Sequence, residues 1–223
     1  MRYSIKSKTL GICLAALFLI SSCHTANKAQ KGAAIGAGTG GIVGAFIGKS
    51  AGNTALGALI GGAVGGTAGA FIGKNMDKQA AELQQNVPGA TVTRVGEGII
   101  VKFDSGLLFG TGSANLQANA QNNLQNLASS LQQNTATNVI IIGHSDNTGT
   151  SQQNMDISMQ RALAVKTFLA SKGVDATRIT TLGKGDAEPI GDNSTEQGRA
   201  QNRRVEVVIV ANERMRNQAN KAD

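Results

Sequence analysis

From residue 90 to residue 210 the apolar positions switch between two periods. ATVTRV (90–95) and GIIVKF (98–103), split by Gly96-Glu97-Gly98, read as two strands. Leu116, Leu124, Leu127 and Leu131 recur at helical spacing within LQANAQNNLQNLASSLQQ. VIIIG (139–143) is a short buried strand. A second amphipathic helix runs from Gln153 to Ser171 on Met155, Met159, Leu163, Val165, Phe168 and Leu169, and Lys172-Gly173 ends it. Residues 176–183 lead into a strand, residues 185–191 form a loop broken by Pro189, residues 195–202 form a short polar helix, and RRVEVVIV (203–210) closes the pattern. This βαβαβ order predicts an α+β fold, an α/β sandwich with its helices on one face. Residues 98–212, about 115 residues, are one domain's worth.

Upstream the pattern is of another kind. GAAIGAGTGGIVGAFIGK (32–49) and GALIGGAVGGTAGAFIGK (57–74) agree at 12 of 18 positions. Glycine falls on every fourth residue, from Gly32 to Gly48 and again from Gly57 to Gly73. On a helix this spacing makes a flat side that another backbone can approach closely. In water so many interior glycines disfavour a helix, each by up to about 1 kcal/mol relative to alanine. In lipid the backbone must satisfy itself and helix is the main option. About 17 uncharged residues between lysines is the lower limit of a span, with Lys49 and Lys74 snorkelling from the ends. The segment reads either as a membrane-associated helical hairpin or as a flexible Gly/Ala tether. MDKQAAELQQ (76–85) turns polar and helix-prone, and NVPGA breaks it. Residues 75–97 are therefore expected to be a linker with a lead-in strand, and residues 213–223 a polar tail.

The first 22 residues do not read as structure. A basic start (Arg2, Lys6, Lys8), the apolar run TLGICLAALFLISS and a small-residue exit make a secretory signal. Ile20-Ser21-Ser22-Cys23 resembles the bacterial lipobox, in which the cysteine after the cut carries the acyl chains. Residues 23–31 would then be a lipidated linker. His24, in place of aspartate, favours the outer over the inner membrane in the best-known sorting rule. Cys13 leaves with the signal and Cys23 takes lipid, so no disulfide pair and no thiolate ligand remain. Loss of Arg2, Lys6 and Lys8 takes the basic count from 21 to 18 against 14 acidic residues, and the net charge from +7 to +4. With no Lys/Arg-rich run, 3% aromatic residues and no Trp, nucleic acid is not an expected partner.

Candidate chemistry concentrates in GHSDNTGTSQQNMDISMQRA (143–162). Asp146 sits in a glycine-rich turn behind the most apolar strand of the second half, and Arg161 follows on the next helix. The pair fits a salt bridge, half of an active site, or the two jaws of a zwitterion clamp. Asn154, Ser158 and Arg161 are spaced four and three apart, hence on one helical face.

GHSDNTG, Asn154, Ser158, Arg161-Ala162, Gly173-Val174, GKGDAEPI and GRAQNRRVE (198–206) together resemble the OmpA-like C-terminal peptidoglycan-binding domain over roughly residues 98–212. The layout of signal, lipobox, glycine zipper and this domain resembles the YiaD-like outer-membrane lipoproteins. The resemblance implies a pocket for diaminopimelate of the peptidoglycan stem peptide. Asp146 would take the ligand's ammonium and Arg161 a carboxylate, with Asn154 and Ser145 as further contacts. Asn202 and Arg203 match positions that line or support the pocket, and Arg204 reads as structural. The chemistry of the residues fits. A short carboxylate in a turn is a point acceptor, and a planar guanidinium holds a carboxylate through two parallel bonds. The turn 147–149 and the following helix N-terminus are expected to add N–H groups and positive potential. Ser145 stands where the family more often has threonine, and the lead-in TSQQNMD is less typical.

His144, Ser145 and Asp146 do not make a catalytic triad, because consecutive strand residues alternate faces. One usable histidine cannot build a metal site, and Lys184 in GKGD lacks phosphate-loop spacing. The sequence therefore predicts a non-enzymatic binder with no cofactor or metal. It would be lipid-anchored in the outer membrane, with its C-terminal domain in the periplasm on peptidoglycan. The rival reading makes the glycine zipper the active part, a membrane homo-oligomer for which the C-terminal domain is only a locator.

Overall fold

The computed structural model describes residues 67–110 and 112–222. The signal, Cys23, the first glycine copy and the start of the second lie outside the described residues. Along the chain come α1 (Thr67–Asn86), β1 (Ala90–Val95), β2 (Gly98–Asp104), the one-turn α2 (Ser105–Leu108), α3 (Ala118–Gln133), β3 (Thr137–Gly143) and α4 (Ser151–Ser171). A 3-10 turn (Ala176–Arg178) leads into β4 (Ile179–Gly183), followed by α5 (Glu196–Asn202), β5 (Arg204–Ala211) and α6 (Glu213–Lys221). The strands form one sheet in the order β1-β2-β5-β3-β4. Only the β3–β4 pair is parallel, joined by α4 as a crossover. The expected α+β sandwich is present.

One face of the sheet carries Ile99, Val101, Phe103, Val139, Ile141, Val205, Val207 and Ile209, alternating along β2, β3 and β5. Against it pack Leu124, Leu127 and Leu131 of α3 and Ala162, Val165 and Leu169 of α4. The opposite face holds a smaller cluster of Val95, Ile100, Ile142 and Val208.

The packed unit is longer than residues 98–212. Helix α1, expected to be repeat and linker, buries Ala68, Ile72, Met76, Ala80 and Leu83 in the main core. Full burial of Ile72, Met76 and Leu83 contributes about 1.5–3 kcal/mol each. β1 pairs with β2 over its whole length, from Ala90↔Phe103 to Val95↔Gly98. Arg94 ties this hairpin to α1, donating to Asp77 Oδ1 at 2.9 Å and to the carbonyls of Gly73, Gly96 and Gly98. The expected polar tail is α6, capped by Asn212 and packed by Met215 and Ala219. The last turns of the second glycine copy are thus core of a folded domain. No helix among the described residues is long and apolar enough to cross a membrane.

The end of the sheet nearest the site is set by register. Asp104 pairs with Arg204 and Gly143 with Val205. The same pairing runs one step further, where Ser105 N–H donates to Arg203 O at 2.8 Å and His144 N–H to Arg204 O at 2.9 Å. Residues 105, 203 and 145 therefore lie level, with Arg203 in the middle.

Candidate functional site

Just beyond that edge opens a cleft of about 550 Å³. Asp146 reaches it from the end of β3. Its Oδ1 accepts the Thr148 N–H at 2.9 Å, and its Oδ2 accepts Arg203 Nη1 at 2.6 Å. Burial alone would raise the Asp146 carboxyl's pKa, but the hydrogen bonds from Arg203 and Thr148 outweigh it and hold the group below its ordinary value. Asp146 is ionised at neutral pH.

Arg161 comes from α4. The helix sits close because β3 ends in glycine: a Cβ on Gly143 would lie 1.9 Å from Ser158 O. Ser158 Oγ also accepts the Gly185 N–H at 2.9 Å, which pins the helix to the loop after β4. As the spacing predicts, Asn154, Ser158 and Arg161 share the buried face. Arg161 is 4% exposed, its Nε donates to Ser113 O at 3.1 Å, and its guanidinium lies 5.5 Å from the Phe109 ring centroid. Its two terminal nitrogens have no acceptor among the described residues, and it forms no salt bridge with Asp146. Burial and the charge of Arg203 lower its pKa, against the pull of Asp146; a guanidinium stays charged regardless. Asn154 Nδ2 and Ser145 Oγ are buried against the cleft without partners.

The carboxylate and guanidinium thus face one cavity without closing on each other. The acid is held instead by Arg203, whose Nη2 donates to Glu196 Oε1 at 2.7 Å. Arg199 donates to the other oxygen of Glu196 at 2.7 Å and to Asn193 O. Arg199 and Arg203 are both paired with carboxylates, while Arg161 keeps unspent donors.

Three expectations change. Asn202 does not line the cleft. Its Oδ1 accepts Ile190 and Gly191 N–H, and its Nδ2 donates to Gly191 O and Asn193 Oδ1, so it fixes the loop 190–193 and has nothing left for a guest. The turn after Asp146 spends the Thr148 N–H on Asp146 itself. The N-terminus of α4 is closed by its own capping box, Thr150 with Gln153, so it offers less to an anion than expected. Arg204 is structural as read: fully buried, it donates to Glu206 Oε1 at 2.7 Å.

His144 is also core. It is fully buried, neither ring nitrogen has a hydrogen-bond partner among the described residues, and burial, with the charges of Arg204 and Lys184, pushes its pKa down to about 2. The 3.8 Å approach of its Nε2 to Glu206 is therefore no ion pair. Ser105, Phe109, Glu196 and Arg199 line the cleft and were not singled out in the sequence. Only Glu196 and Arg199 left a trace there, as an i,i+3 charge pair on a polar helix.

A family model described as the OmpA family matches residues 108–203, and one described as the YMGG-like Gly-zipper matches residues 5–77. The Escherichia coli K12 protein named "Probable lipoprotein YiaD" is 41% identical over 202 residues, covering 85% of this chain and 91% of that one. The peptidoglycan-associated lipoprotein of Agrobacterium fabrum is 32% identical over 136 residues, 61% of this chain and 77% of that one. Among solved structures, the cell wall anchor of the type VI secretion system from Pseudomonas aeruginosa superposes with a TM-score of 0.54 at 30% identity, covering 61% of this chain and 96% of that one.

Proposed function

This chain belongs to the OmpA family, and from that premise we propose that it is an outer-membrane lipoprotein that binds peptidoglycan non-covalently and tethers the membrane to the wall. The ligand is the zwitterionic end of diaminopimelate in the stem peptide. Its carboxylate takes the two free terminal nitrogens of Arg161 together with Asn154 Nδ2. Its ammonium takes Asp146, sharing that carboxylate with Arg203, and Ser145 Oγ completes the contacts. The observation that carries this reading is the buried Arg161 guanidinium, which is held at Nε and against Phe109, lines the cleft and pairs with no acid among the described residues. A buried cation left uncompensated is costly, and an anionic guest offsets that cost.

Two names among the relatives support the ligand class: a peptidoglycan-associated lipoprotein and a cell wall anchor. The chain's own lipobox supports anchoring through Cys23, with the domain in the periplasm. Asn202 and Arg203 serve as supports, Asn202 by fixing a loop and Arg203 by holding Asp146.

Binding to purified sacculi, with and without free meso-diaminopimelate as competitor, tests the proposal. The wild-type chain should be competed off. Arg161→Ala should bind at least about tenfold more weakly, in line with the loss of charge-assisted hydrogen bonds worth about 1.5–3 kcal/mol. Wild-type retention of the Arg161→Ala chain would overturn the assignment.

A further inference from the structure

Ser105 is not explained by the zwitterion site. It is 3% exposed, it lines the cleft, and its Oγ has no partner among the described residues. Its backbone is fixed on both sides: its N–H donates to Arg203 O at 2.8 Å and its carbonyl accepts Phe109 N–H at 2.7 Å. Asp146, Asn154 and Arg161 belong to β3 and α4. Ser105 lies across Arg203 from them, level with Ser145 but two strand positions away, about 10 Å between backbones. One amino-acid head group does not span both sides. The cleft has room for more, at about 550 Å³ against roughly 30 Å³ for one water in the liquid.

Two glycines leave part of the cleft wall bare. Gly106 and Gly112 line the same cleft, and a Cβ built on either meets no atom within 4 Å. A wall without side chains admits the close approach of another backbone. A hydroxyl at its base both donates and accepts, which suits a peptide amide. The local charges are already matched: Arg203 and Arg199 are paired with Asp146 and Glu196. This end is therefore built for a neutral polar group and not for a second ion.

We infer that Ser105, Gly106 and Gly112 form a second subsite that takes the peptide amide next to the zwitterionic residue, with Ser105 Oγ bonding that amide. The inference rests on the reading of Asp146 and Arg161 as the zwitterion site. It makes the cleft a reader of diaminopimelate within a peptide in preference to the free amino acid.

Titration of the full chain in detergent with free meso-diaminopimelate, and with a stem tripeptide ending in it, separates the two claims. The wild type should bind the tripeptide about tenfold more tightly than the free amino acid. Ser105→Ala should cut that ratio to about twofold and leave affinity for the free amino acid unchanged. Gly106→Val, which fills open space, should do the same. Equal wild-type affinity for the two ligands overturns the subsite. So does an unchanged ratio in whichever variant keeps the wild-type melting temperature, or an equal loss for both ligands, which would make Ser105 structural. If the wild type binds neither ligand, the zwitterion site itself fails.

Discussion

Oδ1 of Asp146 accepts the Thr148 N–H and Oδ2 accepts Arg203, and a carboxylate oxygen can accept two hydrogen bonds. The acid is thus aimed by its neighbours without being used up. A few residues away His144 gives the opposite case, a polar group kept out of all chemistry. Its ring stays neutral down to about pH 2 in the fold, whereas its ordinary value is 6.5. Below 6.5 the unfolded chain takes up a proton that the folded chain refuses, so stability falls as pH falls. The slope is about 1.4 kcal/mol per unit, or roughly 2 kcal/mol between pH 6.5 and 5. Urea unfolding at those two pH values should show the loss, and His144→Leu should remove most of it. A slope unaltered by the substitution would place the proton uptake on another group.

Among the elements, α4 shows how a binding face misleads periodicity. The sequence put Met155 and Leu163 on the buried stripe, yet both are exposed, at 41% and 45%. The buried stripe begins with Asn154, Ser158 and Arg161 and turns apolar only at Ala162, Val165 and Leu169. An apolar pattern cannot announce a polar face turned to a cleft, so hydrophobicity alone placed the helix and its Val165 and Leu169 correctly but misassigned Met155 and Leu163; the motif spacing supplied the face of the first half. Leu163→Lys should then change stability by no more than about 0.5 kcal/mol, whereas Leu169→Ala should cost about 2–5 kcal/mol. Thermal unfolding of the two variants checks the rotation, and comparable losses would refute it. The strands were legible for a simple reason: β2, β3 and β5 lie between other strands and are nearly continuous runs of Val and Ile. Ser105 was not legible, because its role depends on β2 ending beside Arg203, a contact across about a hundred residues of chain. Asn202 was visible as a motif residue, but sequence does not show whether an amide faces a guest or a loop.

For the molecule as a whole, the packed domain reaches at least into the end of the second glycine copy. The same hexapeptide, GAFIGK, occurs at 44–49 and 69–74, and in its second occurrence Ile72 is core. Composition changes near residue 75 while the core already holds Ala68 and Ile72, which is why a boundary drawn on composition cut off α1 and β1. Deleting residues 32–66 should leave the melting temperature and sacculus binding of the domain as they are. Extending the deletion to residue 74 removes Ala68 and Ile72 and should cost on the order of 2–5 kcal/mol of stability. Equal stability of the two deletions would mean that the first two turns of α1 contribute nothing.

The placement of α1 also has a mechanical side. Under the proposed tethering, tension between the N-terminal side of the chain and an occupied cleft would load this helix before the sheet. The helix can peel away only by stripping Ala68, Ile72 and Met76 from the core in turn, against the hold of Arg94. Each residue that unwinds lengthens the connection by roughly 2 Å, from 1.5 Å in the helix to about 3.5 Å extended. Slack would thereby be paid out while the proposed grip on the wall stays shut.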